Sequence, residues 1–471
     1  MISRSRSSRI FGRSSTLAAS LVFVGLGSHS ASAQLLGPEF LVNTYTTSSQ
    51  FNPAIAADGS GNFIVVWASA GQDGEGEGVF GQRFNAAGGK VGNEFQVNTY
   101  TTSAQWHPAV GSDSAGNFVV VWSSYRDGSA WGVFGQRFDS MGDRVGSEFQ
   151  VNSYTTGYQW KPVVALDALG DFAVVWASRL QDGAGDGIFG QRYSLDGSRL
   201  GSEFQVNTFT TSDQVASALA AGGLGSFLAV WQSNLQDGSG SGIFGQRFSL
   251  ASGREGSEFQ VNTYTTLAQQ RPAVAADGSG QFVVAWWAMD QNASGVFGQR
   301  LSPAGSPVGS EFQVNSYTTD WQLYPAVAAD ASGNFVVTWN SLTQDGSGYG
   351  VFGQRFDSVG LPVGGEFQVN AYTTSEQSLP VAAAVAPGNF VVVWQSVVQD
   401  AGGGVFGRQL TTSVFRHDFD ATPPFWSDTT ATMCSGQCGG QSNAGCYCDS
   451  RCVSLRDCCL DACTSCGYCA P

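Results

Sequence analysis

The sequence predicts an all-β chain: a seven-bladed β-propeller whose N-terminal strand closes the last blade, plus a small disulfide-rich C-terminal domain. Three observations predict it. The phrase Glu-Phe-Gln-Val-Asn returns every 53 to 55 residues, starting at Glu39, Glu94, Glu148, Glu203, Glu258, Glu311 and Glu366, with Leu41 replacing Gln in the first copy. So regular a period marks stacked copies of one supersecondary unit. The 471 residues include 62 Gly and only 13% charged residues, with Val, Phe and Trp plentiful, as short strands and tight turns require. All ten Cys are confined to residues 434–469.

Residues 1–33 read as a secretory signal. Arg4, Arg6, Arg9 and Arg13 precede an apolar stretch, Leu17 to Gly27, and Ala31-Ser32-Ala33 forms a small-x-small cleavage site before Gln34. About 11 apolar residues fall short of the roughly 20 that span a bilayer. The chain is therefore expected to be secreted or extracellular, or periplasmic in a bacterium, without membrane insertion. Without this segment, 18 basic residues face 37 acidic ones. That balance disfavours nucleic acid and anionic membranes.

Residues 37–410 read as the propeller. In the second copy, Pro108-Ala109-Val110 opens a small-residue strand and Asp113 to Gly116 turns the chain. Asn117 to Trp122 is a β-branched strand suited to burial on both faces. Gly132 to Phe138 and Glu148 to Asn152 supply two more strands, and a crossover, Ser153 to Lys161, leads to Pro162. Three hairpins and one crossover make a propeller blade. On this phasing the first rim strand has no blade before it and the last blade lacks one. Residues 39–44 are expected to pair with 404–410, protecting both edges. The competing phasing, with a blade starting at each Glu-Phe, pairs 39–44 with 79–84. The strand plan resembles seven-bladed propellers of the WD-repeat type, without their Trp-Asp dipeptide. Val-Phe-Gly also resembles the FG-GAP repeats of integrin α-chains, without the Gly-Ala-Pro or the alternating-Asp calcium loop.

Some polar positions recur in every copy. Gln50, Gln105, Gln159, Gln214, Gln269, Gln322 and Gln377 follow Thr-Thr or its equivalent in the crossovers and read as caps for backbone groups outside the ladder. Asp73, Asp182, Asp237 and Asp345, with Asp127 and Asp400, read as turn formers, as do Asp58, Asp113, Asp167, Asp277 and Asp330. A ring of such acids holding Ca²⁺ is the weaker reading; no cofactor or metal site is expected.

Function is expected where copies diverge. Trp106, His107, Tyr125, Trp131, Tyr158, Trp160, Lys161, Arg271, Trp321 and Tyr324 place large side chains on the crossover face and suit stacking against a glycan or a protein partner. Catalysis has thin support: past the signal, His occurs only at 107 and 417, and no nucleophile elbow appears. A loop-carboxylate pair for glycoside hydrolysis stays open.

Residues 411–433 read as a linker, with Phe415, Phe419, Phe425 and Trp426 expected to dock part of it on the propeller. In the C-terminal module, Cys434, Cys438, Cys446, Cys448, Cys452, the doublet Cys458-Cys459 and Cys466 resemble the somatomedin B domain, as does Asp461 after the doublet. In an exported chain this implies disulfides rather than zinc. Cys463 and Cys469 exceed the family's eight and are expected to pair. The resemblance implies protein binding. Asp449 matches a partner-binding acid of the family, but Ser450, Arg451, Ser454 and Leu455 depart from the neighbouring positions. No Arg-Gly-Asp follows.

The reading with most support is a secreted non-catalytic binding or adhesion scaffold that contacts an extracellular protein or glycan. The alternatives are a secreted polysaccharide-acting hydrolase and a structural cell-surface component.

Overall fold

The computed structural model describes residues 34–127, 130–289, 293–400 and 402–412. The signal segment, nearly all of the linker and all ten Cys lie outside these residues. No helix among the described residues is long and apolar enough to cross a membrane.

Seven four-stranded antiparallel sheets form the blades. Blade 2 is representative, with strands Gln105–Ser112, Phe118–Asp127, Ala130–Phe138 and Arg144–Gln150. The first strands of successive blades neighbour one another around the ring axis. The second strands are almost wholly buried. The core lies between blades: Ile64 and Val66 of blade 1 pack with Phe118, Val120 and Trp122 of blade 2. Each second strand contributes one fully buried indole: Trp67, Trp122, Trp176, Trp231, Trp286, Trp339 and Trp394.

Ring closure follows the expected phasing. Gln34–Leu41 pairs antiparallel with Gly404–Thr412, matching Glu39 to Arg408 and Phe40 to Gly407. Residues 79–84 instead pair within their own blade. The fourth strand of blade 2 differs from the sequence reading, running from Arg144 to Gln150 rather than from Glu148 to Asn152. The cause is Asn152, whose Oδ1 accepts the Val133 N–H at 2.8 Å and replaces the next ladder bond with a side chain.

The repeated phrase is explained residue by residue. Glu148 Oε2 accepts the Thr99 N–H at 2.7 Å and the Thr99 hydroxyl at 2.8 Å, clamping the crossover that leaves blade 1. The same clamp recurs around the ring and finishes with Glu39 on the Ala371 N–H at 2.8 Å. The Phe149 ring covers Gly135, and Val151 is fully buried. Asn152 Nδ2 donates to Gln159 Oε1, and Gln159 donates to the Thr156 carbonyl at 3.0 Å. The conserved-spacing Gln residues are thus backbone caps, as expected. The hairpin acids are turn formers: Asp113 Oδ1 accepts the N–H groups of Ala115 and Asn117, each at 2.9 Å.

The Phe-on-Gly contact gives a prediction. A Cβ at Gly135 would stand 2.9 Å from the Phe149 ring. Gly135→Ala is expected to cost about 1–3 kcal/mol by overpacking, read as a lower denaturation midpoint. An unchanged midpoint would show that the Phe side chain is free to move.

Candidate functional site

The site starts from a backbone peculiarity. Asn52, His107, Lys161, Ala216, Arg271, Tyr324 and Leu379 all have φ between 51° and 55°. Each occupies the same place, a bulge in the first strand of its blade. Left-handed backbone at a non-glycine residue costs roughly 1 kcal/mol or more. Neighbouring blades compensate: Lys161 N donates to Ser123 Oγ at 3.0 Å, Asn52 N to Gln395 Oε1 at 3.0 Å, and Leu379 N to Asn340 Oδ1 at 3.1 Å. The result is a ring of seven bulges on the innermost strands. Their backbone is invariant and their side chains are not.

Blades 2 and 3 build a cavity of about 320 Å³ next to these bulges, lined by Trp106, His107, Ser123, Trp131, Tyr158, Trp160, Arg179 and Asp186. Trp106 and Trp131 stack at 5.0 Å between ring centroids. His107 lies edge-on to Trp106 at 6.1 Å and to Trp160 at 6.5 Å. Three buried polar atoms of these lining residues, Trp106 Nε1, His107 Nδ1 and Asp186 Oδ1, have no hydrogen-bond partner among the described residues. Asp186 is 4% exposed; its other oxygen lies 3.8 Å from Arg179 Nη1.

The surroundings set the charges. Burial, reinforced by Lys161 and Arg271, holds His107 down at about 4, so its imidazole is neutral at pH 7. Burial raises the Asp186 carboxyl; Arg179 and Lys161 oppose this, while Asp213 and Asp182 add to it. Burial and Arg271 lower Lys161, and Asp186 partly offsets them. The folded pKa of His107 lies below its ordinary value of 6.5. Its contribution to stability is therefore complete above pH 6.5 and is lost as pH falls toward 4, by on the order of 2 kcal/mol. His107→Asn, with the residue found at the equivalent position 52, is expected to flatten that part of the stability–pH curve. An identical curve in the variant would contradict the buried neutral imidazole.

Trp106, His107, Trp131, Tyr158 and Trp160 meet in the cavity as candidates from the sequence. Tyr125 backs Trp131 edge-on at 5.5 Å, and Lys161 Nζ lies 4.5 Å from the Trp160 ring. Arg271 and Tyr324 form a second pair farther round the ring, 5.0 Å apart. Trp321 stands apart from the cavity, 38% exposed. Sequence reasoning missed Asp186, Arg179 and Ser123. Asp186 has an internal signal: it precedes Gly-Ile-Phe where other copies carry Glu77, Trp131, Ser241, Ser294, Tyr349 or Gly403. This is a second divergent column.

A polar cleft of about 370 Å³ between blades 1 and 2 is lined by Asp58, Asn62, Arg83 and Ser140. It lies at the opposite ends of the strands. Its counterparts recur at Asp113, Asn117 and Arg137, and at Asp277, Gln281 and Arg300. Its repetition marks it as part of the scaffold.

No family model and no curated protein matches the chain. Solved structures do. An ulvan lyase of polysaccharide lyase family PL25 is 11% identical, with 76% of this chain aligned to 94% of that one and a TM-score of 0.50. A protein of unknown function from Dyadobacter fermentans is 8% identical, with coverage of 80% and 99% and a TM-score of 0.49. An α-L-arabinofuranosidase from Fusarium graminearum, complexed with an iminosugar inhibitor, is 11% identical, with coverage of 66% and 94% and a TM-score of 0.44. At these identities the likeness shows the fold. One expectation is corrected: the non-catalytic binding or adhesion scaffold, with catalysis thinly supported, fits these neighbours less well than the polysaccharide-acting alternative, since a solved propeller of similar fold is a polysaccharide lyase.

Proposed function

We propose that the chain is a polysaccharide-cleaving enzyme whose reacting centre is the aromatic cavity of blades 2 and 3. One observation carries this reading: two titratable residues, His107 and Asp186, line one indole-rich cavity, and each keeps a buried polar atom without a hydrogen-bond partner among the described residues. Buried groups without partners are costly, and such groups cluster where chemistry needs them. The Trp106–Trp131 stack offers a flat apolar wall for a sugar ring. A carboxyl with a raised pKa gives up its proton to water less readily than an ordinary one, which suits a donor to a leaving glycosidic oxygen, and a neutral imidazole has a free lone pair to accept a proton. Asp186 is the proposed acid and His107 the proposed base. The ulvan lyase supports the carbohydrate class. Residues 1–33 support action outside the cytoplasm. The somatomedin-B-like reading of residues 434–469 is retained as an accessory disulfide module, testable by mass spectrometry of its cystine peptides.

The test is release of new chain ends from a polysaccharide panel by the wild-type chain and by His107→Asn. Cleavage of at least one polymer, lost in the variant, is expected. Wild-type inertness across neutral and acidic polymers would overturn the reading.

A further inference from the structure

The bulge ring is chemically lopsided. Of its seven positions, two carry cations, Lys161 and Arg271, one carries the imidazole of His107, and none carries an acid. This occurs in a chain with a net charge of −15, where acids outnumber bases and ion pairs are available. Yet among the described residues neither Lys161 nor Arg271 forms an ion pair. Each instead lies on an aromatic face, Lys161 on Trp160 and Arg271 on Tyr324. Although they come from blades 3 and 5, Arg271 disfavours the charge on Lys161, and both disfavour a charge on His107. Only Asp186 offsets Lys161. Like charges offset only in part, by one carboxyl outside ion-pair distance, are unfavourable. An anion would relieve that repulsion.

We propose that Lys161 and Arg271 form an anion subsite beside the cavity, which makes the substrate an acidic polysaccharide bearing uronate carboxylates or sulfate esters. This deepens the proposed function and rests on the same cavity. The aromatic wall holds a sugar face, and the two cations hold its charged substituent. Arg271 supplies a planar fork suited to carboxylate or sulfate, and Lys161 supplies a point charge. The two remaining large bulge residues, Tyr324 and Leu379, leave a neutral flank.

Asn52 shows that the bulge tolerates Asn, so Lys161→Asn and Arg271→Asn, singly and together, are the variants of choice. Binding of the full chain would be measured by calorimetry at low salt against two probe pairs. Polygalacturonate with its carboxyl-reduced form reads carboxylate, and dextran sulfate with dextran reads sulfate. The charged member of at least one pair is expected to bind at least about tenfold more tightly than its neutral partner. That preference should be lost in the double variant, while thermal midpoints hold. The pair that discriminates names the anion. Equal binding of charged and neutral members, no binding to any probe, or an undiminished preference in the double variant overturns the subsite. The readout is binding, so it stands apart from cleavage: a chain that prefers the charged probe yet cuts nothing sinks the proposed function alone. A chain that cuts only neutral polymers sinks the subsite alone.

Discussion

Asp186→Asn is expected to lower polysaccharide turnover about a hundred- to ten-thousand-fold, the usual loss when a general acid is removed. The thermal midpoint at neutral pH should hold or rise. The sign follows from the carboxyl's raised pKa. A group more easily protonated in the folded state destabilises the fold once pH exceeds its ordinary value, because its charge is then forced into a buried place. The amide cannot ionise, so that cost disappears while the shape is kept. A merely structural Asp186 would behave oppositely, with stability falling and turnover following it. Initial rates and melting curves on the same preparation separate the two cases. A variant with wild-type rates would remove Asp186 from the chemistry.

Deleting residues 34–41 is expected to abolish the cooperative melt and render the propeller protease-sensitive. This strand is the fourth member of blade 7. Its loss strips the ladder from Gly404–Thr412 and uncovers Gly407, over which the Phe40 ring sits. It removes the contact between Phe40 and Phe84 of blade 1, with ring centroids 5.5 Å apart. It also removes the Glu39 clamp on Ala371 and the Gly37 carbonyl that accepts from Arg408 at 2.7 Å. Phe40 is partly buried, so its loss costs a share of the roughly 3–5 kcal/mol of a core Phe truncation, and the lost ladder and clamp add to it, against a total stability of about 5–15 kcal/mol for a typical domain. An open ring also exposes a long apolar edge. Circular dichroism melts and limited trypsin digestion read the outcome. A cooperative melt near that of the intact chain would mean that closure contributes little.

Much of the scaffold was legible because its signals are local and repeated. Glu148, Phe149, Val151 and Asn152 each have a structural task, and each recurs at one spacing. The latch followed from counting strands. The exact end of the fourth strand did not, because Asn152 swaps a backbone bond for a side-chain bond, which strand patterning does not show. The site was partly legible. Divergence in the crossovers located Trp106, His107, Tyr158 and Trp160, but it also included Trp321, which sits outside the cavity. Asp186 was missed because it occupies a third-strand start, a column in which three of the other six copies carry only Ser or Gly. The bulge ring was invisible for a physical reason: no glycine marks the positive φ at His107, Lys161 and Arg271, and the hydrogen bond that compensates it at Lys161, from its N–H to Ser123 Oγ, comes from another blade. Sevenfold symmetry thus fixes the backbone and frees seven side chains at the axis.

The most direct measurement is a crystal structure of the Asp186→Asn chain with a bound acidic oligosaccharide. The account predicts a sugar ring stacked on the Trp106–Trp131 wall, with a glycosidic oxygen facing residue 186 and an imidazole nitrogen of His107 within hydrogen-bond reach. A sugar seated instead in the Asp58–Asn62 cleft on the opposite face, or around Trp321 alone, would contradict it.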